Sequence, residues 1–293
     1  MISFITFTRN SAKYLPSLLE NVSDVVDEIV IIDGYSTDNT LEIAKMYNAK
    51  VYQRKPWGYV EPDRMYALSK ASYEWILYLD TDERLGKTLK KNLRSIISSQ
   101  GDSYDAFSVT RINILKGKPL LGPFYPDRQI RIFRKTKTVF KGIIHEIPSI
   151  NGKVLELPED HYILHYGPHD LKKWKAGFKK FAWYEALQYY KHEGFFVRRV
   201  LWVLAPFSMP LIYLYIIARA SIKGSPMNYL SLKGALYFAF YEALVHTLTK
   251  IRDNRRRLLA AIIQRCGFTD LIESRERGED LITFIYRCLA NKT

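Results

Sequence analysis

The sequence predicts an α/β protein whose mostly parallel sheet is flanked by helices and followed by a helical C-terminal region. Short apolar runs alternate with helix-like spacing over residues 1–100, period-two stretches follow over residues 101–170, and helical periodicity continues over residues 171–293. Strands that alternate with helices are typical of parallel sheets covered on both faces. We therefore interpret the first range as an α/β half, the second as mixed strands of the same domain, and the third as a helical region.

The individual elements follow from local patterns. Apolar, β-branched runs predict strands at residues 2–7, 28–32, 51–53 and 74–79. Helical spacing predicts helices at residues 12–21, 41–44 and 65–71. Period-two alternation predicts further strands at residues 107–114, 129–133, 143–147 and 162–166. Ligands of parallel sheets bind beyond the carboxyl ends of the strands, and this sequence places there Thr8, Asn10, Asp33, Asp80 and Asp82.

The composition is that of a globular protein with a basic surface. Of the 293 residues, 47% are hydrophobic and 25% are charged, which excludes a disordered chain. The formal net charge of +14 indicates a polyanionic partner: nucleic acid, an anionic membrane or a phosphorylated substrate. The two cysteines, Cys266 and Cys288, form no metal-ligand cluster and indicate reduced thiols. Because the N-terminal residues lack the features of a signal peptide, we expect the catalytic part to be cytoplasmic.

Two carboxylates, Asp80 and Asp82, follow the fourth predicted strand. Mg²⁺ and Mn²⁺ prefer oxygen ligands and often take only one or two from protein, with phosphates and water supplying the rest. A cation here would neutralise the charge on a departing nucleoside diphosphate. The alternative is that Asp80, Asp82 and Glu83 only begin a helix, where acidic residues are favoured. His161 and His165 are predicted to pack or hydrogen-bond rather than bind metal, because no carboxylate or Cys accompanies them at ligand spacing.

A third carboxylate, Asp33, ends the second predicted strand and precedes Gly34 and several hydroxyl residues. Such residues are typical of a tight turn that leads into a capped helix. A structural turn explains the segment. The functional interpretation adds that Asp33 accepts a hydrogen bond from the ring N–H of a nucleobase.

Three motifs resemble, in order and spacing, those of glycosyltransferase family 2. They are FTRN at residues 7–10, IIDGYSTDNT at residues 31–40 and LDTDE at residues 79–83. Four further segments are similar to lipopolysaccharide-core glucosyltransferases and their relatives: WG at 57–58, DRMYAL at 63–68, RQIRIFR at 128–134 and HE at 145–146. The resemblance is strong up to about residue 170 and loose in the helical tail.

This resemblance implies a GT-A-type fold and an inverting transfer of a sugar from a nucleoside diphosphate sugar to a lipid-linked or lipopolysaccharide-like acceptor. Thr8 and Asp33 would contact the nucleobase. The full set of nucleotide-binding residues it implies is Thr8, Asn10, Asp33, Arg64 and Asp80. Asp82 would be the main ligand of Mg²⁺ or Mn²⁺, and Asp80 would contact the ribose or the metal. The chain departs from the family at residues 63–65, where many members have Gln-Lys-Asn or Ala-Arg-Asn.

Inverting transfer requires a general base that removes the proton of the attacking acceptor hydroxyl. The candidates are Glu146, Asp127 and His145. Glu146 is preferred, because it lies in the His-Glu motif after the acceptor-side strands and because a Glu is ionised near neutral pH. Asp127 is the second candidate, and His145 is interpreted as an orienting partner. The alternative for Glu146 is a structural ion pair with an arginine of residues 128–134.

Residues 200–218 are uncharged and just long enough to span a bilayer, although Pro206 and Pro210 interrupt them. Arginines flank the run, and a second basic cluster follows at residues 255–257. A single span would separate these clusters, against the positive-inside tendency, whereas a re-entrant or in-plane helix keeps both cytoplasmic. We therefore expect association with the cytoplasmic face of a membrane, with a buried helix pair and a true span as alternatives. Nucleic-acid binding would explain the charge but not the apolar run.

Two other classes of function are weighed against a transferase. A non-catalytic membrane scaffold could keep the sheet without the activity, but Asp80, Asp82 and Glu146 argue against it. A sugar nucleotidyltransferase shares the α/β layout but needs a Gly-rich, basic loop after the first strand, where this chain has TRNSA at residues 8–12.

Overall fold

The computed structural model describes residues 1–56, 60–115, 117–120, 125–142 and 146–167, with a few helical positions between 210 and 239. The chain divides into two compact units. The first consists of Met1–Ile114 and Pro126–Gly167, and the second of Leu115–Tyr125 and Pro168–Thr293. The candidate site residues named above all fall within the ranges of the first unit.

The described elements are short and alternate in type through the first half of the chain. The strands are β1 (Ile2–Thr8), β2 (Glu28–Asp33), β3 (Lys50–Gln53), β4 (Trp75–Tyr78), β5 (Glu83–Leu85), β6 (Ala106–Leu115), β7 (Lys118–Pro119), β8 (Asp127–Arg134), β9 (Thr138–Val139), β10 (Ser149–Ile150), β11 (Val154–Glu156) and β12 (Tyr162–His165). The α-helices are α1 (Leu15–Val22), α2 (Thr40–Met46), α3 (Arg64–Lys70) and α4 (Lys87–Gln100). Single turns of 3-10 helix occur at Glu61–Asp63 and Lys135–Lys137.

The main sheet has the strand order β3-β2-β1-β4-β8-β6-β12-β5. The first four of these strands pair in parallel, and β8 is antiparallel to both β4 and β6. β12 is parallel to β6 and antiparallel to β5. β11 is parallel to β6, and β9 and β10 form a separate antiparallel pair. The predicted α/β fold with helices flanking the sheet is confirmed. The sheet, predicted as mostly parallel, is parallel over β3-β2-β1-β4 and mixed over the remaining strands.

Two apolar clusters cover the two faces of this sheet. Successive side chains of a strand point to opposite faces. Phe4, Ile31 and Leu77 therefore pack in one cluster with α1, α2 and α4, while Ile5 and Ile76 pack in the other with α3. Because β1, β2 and β4 are buried on both faces, their sequences are almost continuously apolar. Polar side chains accordingly gather where these strands leave the core.

Some elements differ from those predicted. α4 and β5 were not predicted, since α4 buries only Leu89 and Leu93 along a largely polar sequence and β5 has three residues. Residues 146 and 147 of the strand predicted at 143–147 have irregular backbone, and residues 143–145 lie outside the described residues. β5 was not predicted because its three residues are too few for a period-two pattern to be recognised.

The predictions for residues 171–293, including membrane association of residues 200–218, fall almost entirely outside the described residues. The described positions between 210 and 239 are helical. Among the residues that the structure describes, no helix combines the length and the apolar character that crossing a membrane requires.

Candidate active site

The carboxyl ends of β1 and β2 bring Thr8 and Asp33 together. The strands pair with Thr8 opposite Asp33, and both side chains are buried. Thr8 Oγ1 donates a hydrogen bond to Asp33 Oδ1 at 2.8 Å. Two residues that the sequence placed at separate strand ends are therefore in direct contact, at the edge of the sheet where α/β proteins bind ligands.

The loop after β2 surrounds the carboxylate of Asp33 with hydrogen-bond donors. Asp33 accepts from Ser36 N at 2.8 Å, from Ser36 Oγ at 2.5 Å and from Gln53 Nε2 at 3.3 Å. Asn10, whose φ is 51°, donates its backbone N–H to Ser36 Oγ at 2.8 Å and accepts from Thr37 N at 2.8 Å. The turn is therefore structural, and Gln53 makes the longest of these contacts with Asp33.

Asp80 and Glu83 close a tight turn between β4 and β5. Glu83 N donates to Asp80 O at 2.9 Å, and Asp80 N donates to Glu83 Oε2 at 3.1 Å. Tyr78 Oη donates to Asp80 Oδ1 at 2.8 Å. Because Glu83 begins a strand, the alternative that these acidic residues begin a helix is wrong.

Arg131 of β8 neutralises the carboxylates of this turn from within the sheet. Its Nη2 donates to Asp80 Oδ2 at 3.0 Å and to Glu83 Oε1 at 2.6 Å, and its guanidinium lies over the ring of Tyr78. Burial alone would raise the pKa of Asp80, but Arg131 and the Tyr78 hydroxyl outweigh burial and hold this pKa below its ordinary value. Burial would lower the pKa of Arg131, but Glu83 and Asp80 raise it above its ordinary value. The turn is therefore fixed by charged partners.

Asp82 lies beside His165 because β5 pairs with β12. His165 is the register partner of Glu83, and Tyr166 N donates to Asp82 O at 2.8 Å. His165 Nε2 and Asp82 Oδ2 are 3.4 Å apart. No carboxylate or Cys accompanies His165 at ligand spacing along the chain. Strand pairing supplies the carboxylate from a distant segment.

The side chains around the turn at Asp80–Glu83 can be compared with the coordination requirements of a divalent cation. Within the described ranges, no group of three or more His, Cys, Asp or Glu side chains is arranged to hold a metal ion. Asp80 is engaged by Arg131, and beside it Asp82 Oδ2 and His165 Nε2 lie 3.4 Å apart. Mg²⁺ and Mn²⁺ sites that bind phosphates often use one or two protein ligands only. The residues present therefore fit a cation that takes its other ligands from substrate and water.

The two candidate carboxylate bases have different surroundings. Asp127 accepts from Arg111 Nε at 2.7 Å, from Asn113 Nδ2 at 3.1 Å and from Gln129 Nε2 at 2.7 Å. Its side chain is 22% exposed. Arg111 Nη1 also lies 3.5 Å from Glu83 Oε1, which connects Asp127 with the turn at Asp80–Glu83. The sequence did not predict this connection.

Glu146 lies against Arg64 rather than against an arginine of residues 128–134. Its side chain is 4% exposed, and its Oε1 is 3.7 Å from Arg64 Nη1. The carboxylate accepts the backbone N–H of Lys141 at 2.7 Å and that of Gly142 at 3.2 Å. The guanidinium of Arg64 also lies over the ring of Tyr78, which connects it with the site. His145 lies outside the described residues.

Sequence reasoning did not identify three polar residues of this site: Arg131, His165 and Asn113. The sequence contained a signal for Arg131. Strand β8, in the middle of the sheet, carries polar side chains at three alternate positions: Asp127, Gln129 and Arg131. Both faces of a strand that is covered on both sides would ordinarily be apolar. A polar face in this position indicates a site.

Residues 3–149 match the family model described as Glycosyl transferase family 2. The match covers half of the chain and contains the Thr8–Asp33 pair and the turn at Asp80–Glu83. The chain therefore belongs to glycosyl transferase family 2.

Curated relatives match the same half. The chain is 31% identical over 147 residues to an uncharacterized glycosyltransferase of Rickettsia typhi, covering 49% of this chain and 50% of that protein. It is 36% identical over 147 residues to one of Rickettsia bellii, covering 49% of each. The chain thus spans about half the length of the curated relatives it matches. Among solved structures, it is similar to S. aureus TarS 1–349 in complex with UDP-GlcNAc, at 17% identity and a TM-score of 0.45, covering 88% of this chain and 91% of that chain.

Proposed function

We propose that this chain is an inverting, metal-assisted glycosyltransferase that moves a sugar from a nucleoside diphosphate sugar to a lipid-linked or lipopolysaccharide-like acceptor at the cytoplasmic face of a membrane. The observation that carries the proposal is the juxtaposition at one edge of the sheet. The Thr8–Asp33 pair ends two parallel strands, and the next strand leads into a turn that places Asp82 beside His165.

The nucleobase is assigned to the Thr8–Asp33 end of the site. A ring N–H can reach Asp33 by replacing Gln53, whose contact at 3.3 Å is the weakest that this carboxylate accepts. Asn10 and Arg64 are assigned to the remainder of the nucleotide. Thr8 keeps Asp33 oriented through its 2.8 Å hydrogen bond.

The charge balance of the site favours a cation as the partner of the diphosphate. The three arginines that contact site carboxylates are already paired: Arg131 and Arg111 at 2.6 and 2.7 Å, and Arg64 at 3.7 Å from Glu146. The positive charge of these three arginines is therefore already balanced by protein carboxylates. Asp82 and His165 would hold the cation, which, when bound, neutralises the leaving group.

The general base is assigned first to Glu146, second to Asp127, with His145 as an orienting partner. Either carboxylate would accept the proton of the acceptor hydroxyl as its oxygen attacks the anomeric carbon. Glu146 must turn away from the N–H groups of Lys141 and Gly142 to do so. A candidate base need not be aligned for proton transfer before substrate binds.

A thermal-shift screen of the full chain tests the donor assignment. We expect a nucleoside diphosphate to raise the Tm by several degrees and Mn²⁺ to enlarge the shift, because a ligand at roughly 100 times its Kd stabilises the folded state by about 2.7 kcal/mol. The matching nucleoside monophosphate is the control, and its shift should depend little on Mn²⁺. No shift with any diphosphate would favour a non-catalytic scaffold. A clear preference for a triphosphate would favour a sugar nucleotidyltransferase.

The membrane assignment is supported by the net charge of +14 and by the uncharged run at residues 200–218 with its flanking arginines. Each basic side chain near an anionic surface contributes about 1 kcal/mol, which salt weakens, whereas apolar burial is independent of salt. We expect the full chain to sediment with membranes and high salt to release only part of it. A version that ends near residue 191 serves as the control. Recovery of the full chain wholly in the soluble fraction at low salt would instead indicate a buried helix pair.

A further inference from the structure

A row of polar side chains links Asp127 with His165 across three neighbouring strands. In the register of the sheet, Arg111 lies opposite Asp127, and Asn113 lies opposite His165. Because Arg111 and Asn113 are two residues apart on β6, their side chains share one face of the sheet. The row therefore ends at the imidazole that faces Asp82.

The orientation of the Asn113 amide follows from its neighbours. A carboxylate paired with an arginine offers only acceptor atoms, and Arg111 Nε donates to Asp127 Oδ2 at 2.7 Å. The group of Asn113 that lies 3.1 Å from the same oxygen must therefore be its NH₂. The amide oxygen of Asn113 is then directed at His165 Nδ1, at 2.7 Å.

The orientation of Asn113 fixes the tautomer of His165. Since an amide oxygen carries no hydrogen, the hydrogen between the two groups belongs to Nδ1 of the imidazole. The neutral ring then has its lone pair on Nε2, which lies 3.4 Å from Asp82 Oδ2. Two electron-rich atoms facing each other at this separation suit a cation between or beside them.

We propose that Asn113, oriented by Asp127, is a positioning residue that fixes His165 as the Nδ1–H tautomer and so presents Nε2 beside Asp82 to a divalent cation. This inference rests on the metal-assisted function proposed above. Asn113 acts through His165, and Asp127 acts through Asn113. The inference also gives Asp127 a role that does not require it to be the general base.

A second Asn–His–Asp set in the chain provides a matched control. Asp160 Oδ1 lies 2.8 Å from His161 Nδ1, and Asn92 Nδ2 lies 3.2 Å from His161 Nε2. Both ring nitrogens of His161 already have close partners. This second set, although it consists of the same residue types, therefore leaves no ring nitrogen available to a cation.

The test is nitrogen NMR of the full chain labelled with ¹⁵N-histidine, in mildly alkaline buffer, before and after addition of Mn²⁺. In the metal-free protein we expect His165 as Nδ1–H in the wild type and a mixed tautomer in Asn113→Ala, which removes the acceptor. Mn²⁺ affinity, measured by electron paramagnetic resonance, should fall roughly 10–100-fold in Asn113→Ala, the usual cost of losing a residue that orients a metal ligand. Asn92→Ala should change neither the His165 signals nor the affinity.

The outcomes separate this inference from the function on which it rests. If the wild type binds Mn²⁺ while Asn113→Ala keeps both the tautomer and the affinity, the positioning role is wrong and the metal-assisted function stands. If the wild type binds no Mn²⁺ with or without a nucleoside diphosphate, both are wrong. Unchanged His161 signals in Asn113→Ala verify that the variant is folded.

Discussion

Asp82→Ala is expected to abolish sugar transfer, lowering the rate by roughly 10³-fold or more, while the protein remains folded. A cation that neutralises a leaving group supplies several kcal/mol of transition-state stabilisation, and each 1.36 kcal/mol is about tenfold in rate. The fold should survive, because the side chain of Asp82 is 32% exposed and the bond from Tyr166 N is to its backbone oxygen, which alanine retains. Transfer assays with and without a chelator, alongside thermal unfolding, measure both parts.

Asp160→Ala is the matched control for this substitution. Asp160 also lies beside a histidine, His161, at 2.8 Å, but its side chain is 63% exposed and it lies outside the site. Its loss should leave transfer and chelator sensitivity unchanged. Transfer that survives both Asp82→Ala and chelation would rule out the metal-assisted mechanism.

Glu146→Gln is expected to reduce transfer by roughly 10²–10⁴-fold, the usual contribution of a general base, with near-normal donor binding. The amide keeps the size of the side chain and removes its basicity. Because the carboxylate also accepts backbone N–H groups and lies beside Arg64, thermal unfolding of the variant must be compared with that of the wild type. The exposed Glu156, paired with Arg128 at 3.9 Å, gives the control Glu156→Gln.

Asp127→Asn distinguishes the two candidate bases and also the two roles of Asp127. A loss of transfer in Asp127→Asn with full transfer in Glu146→Gln would assign the base to Asp127, provided that Mn²⁺ affinity is unchanged. A loss accompanied by weaker Mn²⁺ binding would instead show that Asp127 acts through Asn113 and His165.

The sequence predicted those parts of the site that can be recognised from a single strand and the residues at its end. An apolar run that ends in a carboxylate is visible locally, and both Asp33 and Asp80 were found in this way. Parallel pairing then brings Thr8 to Asp33, which the α/β pattern also implied.

The parts that were not predicted depend on register between distant segments. His165 reaches Asp82 only because β12 pairs with β5, and Asn113 reaches His165 only because β6 pairs with β12. Local periodicity identifies which residues form strands but not which residues lie opposite one another across a sheet. Arg131 shows the same dependence, since its contacts with Glu83 and Asp80 come from a strand inserted beside β4.

The strand order also determines when the site can form during synthesis. β4 and β5 are joined directly, yet β8, β6 and β12 lie between them in the sheet and all follow them in the chain. The segment that carries Asp82 therefore leaves the ribosome before any of the strands that hold it in place. β1 to β4 can pair early as a parallel half, whereas β5 gains its partner only once Tyr162–His165 has been made. Closing so long a loop is entropically costly, and assembly of the site is consequently a late, non-local event in the folding of a nascent chain.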